Sequence, residues 1–342
     1  MIDLRSDTTT LPTAAMYAAM QSAQLGDDLL GDDSDVRRLE AVAAERLGKA
    51  AGLFVPSGTM GNLIALQCWT QHGDAVAMES LAHTYMLEVA GLSAVAGCMA
   101  VRIPGTLGVI AADDFEREFT APFREEVPIK LLWIENTHNL AGGTVTNSAQ
   151  MQALAAVARQ HGASVHVDGA RIFNAAVAQG VEVRELTRDA DSVMFCLSKG
   201  LCCPVGSMLV GPRPMIDRAR HLRARLGGAM RQSGLLAACG LVALDTLVDR
   251  LADDHANARR LAERLATVDG LALDLATVQT NLVFFNVTKP GLTAIELVQR
   301  CAARGVRFFN LGSDRIRLVT HHDVSRAQCA EAAEIIATEV TT

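Results

Sequence analysis

The chain has 342 residues, half of them apolar and a fifth charged, with 38 acids against 31 bases and a net charge of −7. That length exceeds what one hydrophobic core usually serves and predicts two domains, and the composition excludes a disordered or fibrous chain. The acidic balance argues against a nucleic-acid partner, and the longest apolar run, residues 235–248, is too short for a membrane span and carries Asp245. The opening Met1-Ile2-Asp3-Leu4-Arg5 is polar from the start, unlike a secretory signal, which predicts a soluble cytoplasmic protein. The eight cysteines form no CxxC pair and have no zinc-finger spacing. They predict buried thiols, with no disulfide framework and no structural metal.

Along the chain, Ser34 or Asp35 is expected to cap a helix whose apolar positions Val36, Leu39, Val42 and Ala43 precede Gly48. Seven apolar segments follow, at 52–56, 75–78, 99–103, 130–134, 164–167, 192–197 and 207–210. Each is rich in Val, Ile, Leu or Phe and bounded by Gly, Pro, Asp or Ser, as buried strands are. Helical spacing lies between most of them. After Asn147-Ser148, for instance, Met151, Leu154, Ala155 and Ala158 share one helix face and Gly162 ends it. Strands alternating with helices predict a mostly parallel seven-stranded sheet covered on both faces. The last two strands are joined by about ten residues, too few for a crossover helix, so the seventh is expected to run antiparallel. Beyond Gly234 a long helical stretch is expected from Leu235 to about Ala266. Strands at 271–275 and 282–287, a helix at 294–303 and a strand at 315–319 follow. The reading is a large α/β domain over 1–240 and a smaller α+β C-terminal domain over 241–342.

In an open parallel sheet, ligands bind beyond the carboxyl ends of the strands, so the polar residues there matter most. Pro56-Ser57-Gly58-Thr59 ends the first strand and opens a helix. Small residues let backbone N–H groups approach an anion, and the helix N-terminus and the two hydroxyls add to the attraction. Alone this is an ordinary capped helix. Asp168 ends the fifth strand, a costly place for a carboxylate without donors or a cation. Arg171 supplies either a local ion pair with it or a contact to the far side of a shared ligand. Lys199, 31 residues on, ends the next strand at the same sheet edge, about one strand–helix–strand crossover away. Partial desolvation there favours its free amine. An anion cradle, a ring-nitrogen partner and an amine together match the parts that hold pyridoxal phosphate.

At these residues the chain resembles the low-specificity L-threonine aldolase family, fold type I pyridoxal-phosphate enzymes of the beta-eliminating lyase group. The matching stretches are Asp3-Leu4-Arg5-Ser6-Asp7-Thr8, residues 56–60, Ala82-His83, Glu135-Asn136-Thr137-His138-Asn139, and residues 166–175, 197–201, 204–207, 227–236 and 317–321. They span nearly the whole length. The resemblance implies that Lys199 forms a Schiff base with pyridoxal phosphate. It further implies that Ser57, Gly58 and Thr59 hold the phosphate, that Asp168 faces the pyridine nitrogen and that His83 stacks on the ring. Arg171 reaches the cofactor or the substrate carboxylate, and Ser6 and Arg317 bind that carboxylate. Catalysis is implied at Lys199, His83 and Asp168. The implied reaction is cleavage of L-threonine, L-allo-threonine or related L-β-hydroxy-α-amino acids to glycine and an aldehyde by a retro-aldol step. β-Elimination or racemisation of a small amino acid is the alternative. The family also implies a homo-oligomer, a dimer of dimers, with sites near subunit boundaries, where Arg231 reaches a neighbour's cofactor phosphate.

The chain departs from the family at three places. The loop Phe123-Arg124-Glu125-Glu126-Val127-Pro128 lacks the family's second histidine, with Glu125 at that place by ungapped counting. Arg223-Ala224-Arg225 stands where a lysine is common, and Leu87 where an aromatic is. The general base is left open among His83, a water near the phosphate and Glu125. The six arginines of residues 213–231 read by default as a solvated helix face.

Overall fold

The computed structural model describes residues 1–122 and 124–342. Its strands are β1 (Ile2–Asp3), β2 (Ala51–Val55), β3 (Ala75–Glu79), β4 (Met99–Ile103), β5 (Ile129–Glu135), β6 (Ser164–Asp168), β7 (Ser192–Cys196) and β8 (Ser207–Gly211). They continue with β9 (Leu271–Ala272), β10 (Leu282–Val287), β11 (Val306–Arg307), β12 (Phe309–Leu311) and β13 (Arg315–Val319). Seven of them form one sheet in the order β2-β8-β7-β6-β5-β3-β4. The expected runs of apolar residues became these strands because helices cover both faces, so nothing along them needs to alternate. The edge strand β4 is the most exposed of this sheet, and elsewhere in it only Lys130 of β5 is exposed. β8 runs antiparallel to both β7 and β2, as its ten-residue connection requires, and the other pairs are parallel. The carboxyl ends of β2, β3, β5, β6 and β7 therefore share one edge.

The second sheet is antiparallel, in the order β12-β13-β10-β9, and encloses its own apolar cluster with the helices Leu251–Leu265, Ala294–Ala303 and Arg326–Thr341. β1 pairs with β11, which lays the first residues against this second cluster through Ile2 and Leu4. No helix among the described residues is long and apolar enough to cross a membrane. Seven cysteines are buried and Cys68 is half-buried. Burial pushes the Cys202 thiol up to about 12, which makes it a poor nucleophile.

Four local expectations need correcting. The helix Ser34–Arg46 is capped by Asp33, whose carboxylate accepts from Val36 N at 3.2 Å. Asp33 is the last extended residue, whereas Asp35 is already helical and accepts from Gln24 N at 2.8 Å. The long stretch after Gly234 is two helices, Gly234–Thr246 and Leu251–Leu265. The break has a packing cause: Leu244, Leu247 and Leu251 belong to the large sheet's core, but Leu261 and Leu265 to the other. A single straight rod would not keep its apolar face in both. β9 ends at Ala272, because Asp274 caps the turn Leu275–Thr277 by accepting from Ala276 N at 2.9 Å. The arginine-rich helix Arg213–Arg225 is not wholly solvated. Arg223 is buried, 2.8 Å from Asp28 and donating to Phe54 O at 2.7 Å, and Arg220 pairs with Glu40.

Candidate active site

Ser57 is extended and caps the helix Gly58–Trp69, its hydroxyl accepting from Met60 N at 3.2 Å. That leaves the Gly58 and Thr59 N–H groups at an open helix N-terminus. A Cβ at Gly58 would lie 2.9 Å from Cys196 Sγ, and one at Gly61 would lie 2.8 Å from Met194 Cγ. The two glycines therefore let the helix settle directly on β7 and bring the cradle over the ends of β6 and β7. One turn in, Asn62 reaches Asp168. Its Nδ2 donates to Asp168 Oδ2 at 2.9 Å, and Ala170 N donates to Oδ1 at 3.2 Å. A buried carboxylate at a strand end thus has two donors, as the desolvation cost demands.

The same Asn62 amide also donates to Glu88 Oε1 at 2.8 Å, and that oxygen lies 3.0 Å from His83 Nδ1. Burial lowers the affinity of His83 for its proton, but Glu88, Asp168 and Glu135 outweigh it and raise its pKa. Glu135 ends β5 and ties two loops together: Oε2 accepts from His83 N and Oε1 from Asn139 N, both at 2.8 Å. Glu79, at the end of β3, lies 2.9 Å from His138 Nε2.

Asp7 collects the basic side of the site. Arg171 donates from Nε and Nη2 to its two oxygens, each at 2.7 Å, and Asn281 adds a bond of 3.2 Å. The local pairing of Arg171 with Asp168 that the sequence allowed does not occur. Burial pushes the Asp7 carboxyl up, but Arg171, Lys199 and Asn281 overcome this and hold it well below the usual carboxylate range. Lys199 follows β7. Its carbonyl accepts from Thr10 Oγ1 at 2.9 Å, and its amine has no partner among the described residues. Arg317, on β13, donates to Asn139 Oδ1 at 3.3 Å and to Arg5 O at 3.2 Å, and its buried Nε is left without an acceptor. Burial and the nearby Arg171 charge lower its pKa. Ser6 is buried and accepts from Thr8 N at 3.2 Å. Arg317, Val319 and His321 all donate to carbonyls of the first five residues, which sets Ser6 and Asp7 in place.

Lys199, Asp168, His83, Ser57, Gly58, Thr59 and Arg171 thus lie at one edge of the large sheet, and Ser6 and Arg317 face it from the N-terminal segment and the second sheet. Arg231 does not join them: it is exposed and 3.2 Å from Asp27. Glu125 is exposed on its loop, and its neighbour Phe123 lies outside the described residues. The small cleft at the centre is lined by Gly169, Arg171, Cys196 and Lys199. A separate cavity of about 720 Å³ is lined by groups such as Leu107, Ile110 and Gln150, with no titratable side chain. Asn62, Glu88, Glu135, Asn139 and Asp7 were not singled out as individual site residues by sequence reasoning. For Glu135, Asn139 and Asp7 the signal was present in the matching motifs.

The model of the beta-eliminating lyase family matches residues 3–288. The chain belongs to that family. Within the beta-eliminating lyases it is 42% identical to the low specificity L-threonine aldolase of Escherichia coli (strain K12), over 97% of each chain. A solved Leishmania major threonine aldolase superposes with a TM-score of 0.85 at 21% identity, covering 99% of this chain and 100% of that one. A solved SPT with PLP as its internal aldimine gives 0.78 at 18% identity, covering 99% and 87%. These two likenesses show the fold, that of the fold type I enzymes.

The residues fit pyridoxal phosphate. An N-terminal cradle closed to any Cβ at Gly58 suits a phosphate, an amine without a protein partner suits an aldehyde, and a buried carboxylate at the adjoining strand end suits a ring nitrogen. The unpartnered Arg317 Nε beside Ser6 suits a carboxylate.

Proposed function

We propose that this chain is a pyridoxal-phosphate-dependent aldolase that cleaves L-threonine, L-allo-threonine and related L-β-hydroxy-α-amino acids to glycine and an aldehyde. The observation that carries the reading is the pairing of Lys199 and Asp168 at adjacent strand ends beneath the Ser57-Gly58-Thr59 helix start. Lys199 would hold the cofactor's aldehyde through its amine. Gly58 and Thr59 hold the phosphate with backbone N–H groups, and Ser57 and Thr59 add hydroxyls. Asp168 keeps a proton on the ring nitrogen. When bound, the cofactor accepts the electron pair released at Cα. Arg317 and Ser6 fix the substrate carboxylate, with Arg171 held behind them by Asp7, so the Cα–Cβ bond is oriented before it breaks. A base removes the β-hydroxyl proton, the aldehyde leaves, and Cα takes up a proton to give glycine.

Incubation with L-threonine, L-allo-threonine and L-phenylserine is expected to yield glycine and the matching aldehyde. Lys199→Ala is expected to abolish turnover, and borohydride to fix the cofactor on Lys199 in the parent. If none of the three substrates gives glycine, the aldolase reading fails. Ammonia with a keto acid, or loss of optical activity, would instead reveal β-elimination or racemisation, which the family's name keeps in view.

The same reading extends to assembly, location and domains. A homotetramer with shared sites is supported by the exposed Arg231 and by the exposed Tyr85, Met86, Leu87 and Val89 beside His83. Light scattering should give a mass near four times 36.4 kDa, and Arg231→Ala should weaken cofactor affinity. A cytoplasmic location agrees with the eight free thiols. A division into 1–240 and 241–342 is supported by the two apolar clusters, and limited proteolysis tests it.

A further inference from the structure

His83 faces the site from one side and a buried chain of hydrogen bonds from the other. Its Nδ1 lies 3.0 Å from Glu88 Oε1, the Asn62 amide donates to that same oxygen at 2.8 Å, and its second proton goes to Asp168 Oδ2 at 2.9 Å. Glu88, Asn62 and Asp168 are all buried, whereas 31% of the His83 side chain is exposed. Nε2 of His83 has no partner among the described residues. A carboxylate oxygen only accepts, so the shared contact puts the proton on Nδ1 and leaves the Nε2 lone pair on the open side.

We propose that Glu88 is the positioning residue of His83, holding the imidazole in its Nδ1–H form with Nε2 turned to the substrate hydroxyl, and that Asn62 fixes Glu88 against Asp168. This rests on the aldolase reading above. In the cleavage step the β-hydroxyl O–H bond breaks and an Nε2–H bond forms. The carbonyl of the aldehyde forms as the Cα–Cβ bond breaks, and that bond's electron pair stays with the Cα fragment. The imidazolium so made lies against Glu88, which offsets its charge. Besides Glu88, the groups facing His83 are Asp168 at the end of β6 and Glu135 at the end of β5, both acidic, with Thr84 on its own turn bonded to Asn62. Their effect is in the same direction as that of Glu88. The arrangement supplies a base from the chain's own residues without the loop histidine that this sequence lacks.

The geometry also supplies a clean variant. Glu88 Oε2 is buried and bonds to nothing, so Glu88→Gln replaces it with an amide nitrogen while Oε1 still accepts from His83 and Asn62. The charge is removed and both contacts to Oε1 are kept. Histidine-labelled protein, saturated with cofactor and assigned with His83→Gln, is titrated by imidazole nitrogen NMR. In the parent, neutral His83 should be the Nδ1–H tautomer and titrate above the ordinary 6.5. In Glu88→Gln the midpoint should fall by about one unit or more, as loss of an adjoining opposite charge requires, and the acid limb of the kcat profile should move with it. An Nε2–H tautomer in the parent, or the same midpoint in both proteins, overturns the proposal. If Glu88→Gln does not fold, the parent decides: an Nε2–H tautomer or a midpoint below 6.5 overturns it, and the Nδ1–H form above 6.5 supports it. A parent that titrates as expected but makes no glycine would sink the aldolase reading and leave the Glu88–His83 coupling standing.

Discussion

Asp7 shows what a single buried carboxylate does here. It holds both nitrogens of the Arg171 fork that face it, and it lies within electrostatic reach of Lys199 and Arg317. Three cations surround this one anion, so this side of the pocket suits an amino acid carboxylate. Replacing Asp7 with Asn leaves the fully buried Arg171 charge without its partner, a loss of about 3–5 kcal/mol. The pH dependence has a definite sign. The folded carboxyl is held below its unfolded value, so its stabilisation is complete above the unfolded pKa of about 3.9 and is lost as pH falls through the folded value. Urea unfolding of Asp7→Asn should therefore show the same deficit at pH 7 and pH 5. A deficit that shrinks already between those two values would contradict the pairing. Glu135 makes a second, geometric prediction. Its carboxylate accepts one backbone N–H per oxygen, so Glu135→Gln turns a donor toward either His83 N or Asn139 N. Through Asn139 the disturbance reaches Arg317, and KM for the amino acid should rise about tenfold, the effect of roughly 1.4 kcal/mol.

Among the elements, the turn after the short helix His83–Met86 carries the clearest strain. Val89 has φ +52 and Ala90 φ +58, the left-handed region that a β-branched side chain tolerates poorly. Val89 is 94% exposed, so the conformation is imposed by its neighbours, Glu88 buried on one side and Gly91 on the other. Within one protomer Val89→Gly loses no packing. It relieves about 1–2 kcal/mol of left-handed strain against roughly 0.5–1 kcal/mol of added chain entropy. A rise in Tm of about 1–2 °C follows, and a fall would show that the turn is not strained. Sequence patterning reached the large sheet because all seven strands are apolar runs with turn residues at their ends, and the short link before β8 made its reversal legible. The split near Leu247 was not legible, since both helices carry a continuous apolar pattern and the change of core has no local signature. Nor was the cap at Asp33, one of four adjacent polar residues with the same capping chemistry. In the site, Lys199, Asp168 and the Ser57-Gly58-Thr59 cradle could be read from strand ends. Asn62 and Glu88 could not, because an amide inside a helix and an acid in a turn acquire meaning only when β6 brings Asp168 to the other side of Asn62.

For the whole molecule, acid stability follows from two histidines that the fold keeps neutral. His166 is fully buried in β6, tilted against Trp133 with ring centroids 4.4 Å apart and its Nδ1 2.7 Å from Ser192 Oγ. Burial, only partly countered by the Asp168 charge, pushes its pKa down to about 3. His255 sits where the helix Leu251–Leu265 meets Asn174 of the large sheet's side, and burial pushes it down to about 4. In the unfolded chain both titrate near 6.5. Between pH 6.5 and pH 4 the unfolded state therefore binds two protons that the folded state refuses, and stability falls by about 1.4 kcal/mol per histidine for each pH unit. His83 adds no slope in that window. Its folded pKa is raised, so its contribution is complete below 6.5 and is lost only as pH rises through the higher value. Asp7 acts below the window. The two histidines should then contribute a loss of about 4 kcal/mol to urea unfolding between pH 7 and pH 5, reached mostly below 6.5, while the carboxyls of Asp28, Glu40 and Asp254, pushed up by burial, act with the opposite sign. His166→Asn, which retains a polar contact to Ser192 without a group that titrates, should halve the slope while lowering stability at pH 7. An undiminished slope in that variant would assign the acid sensitivity to some other part of the fold.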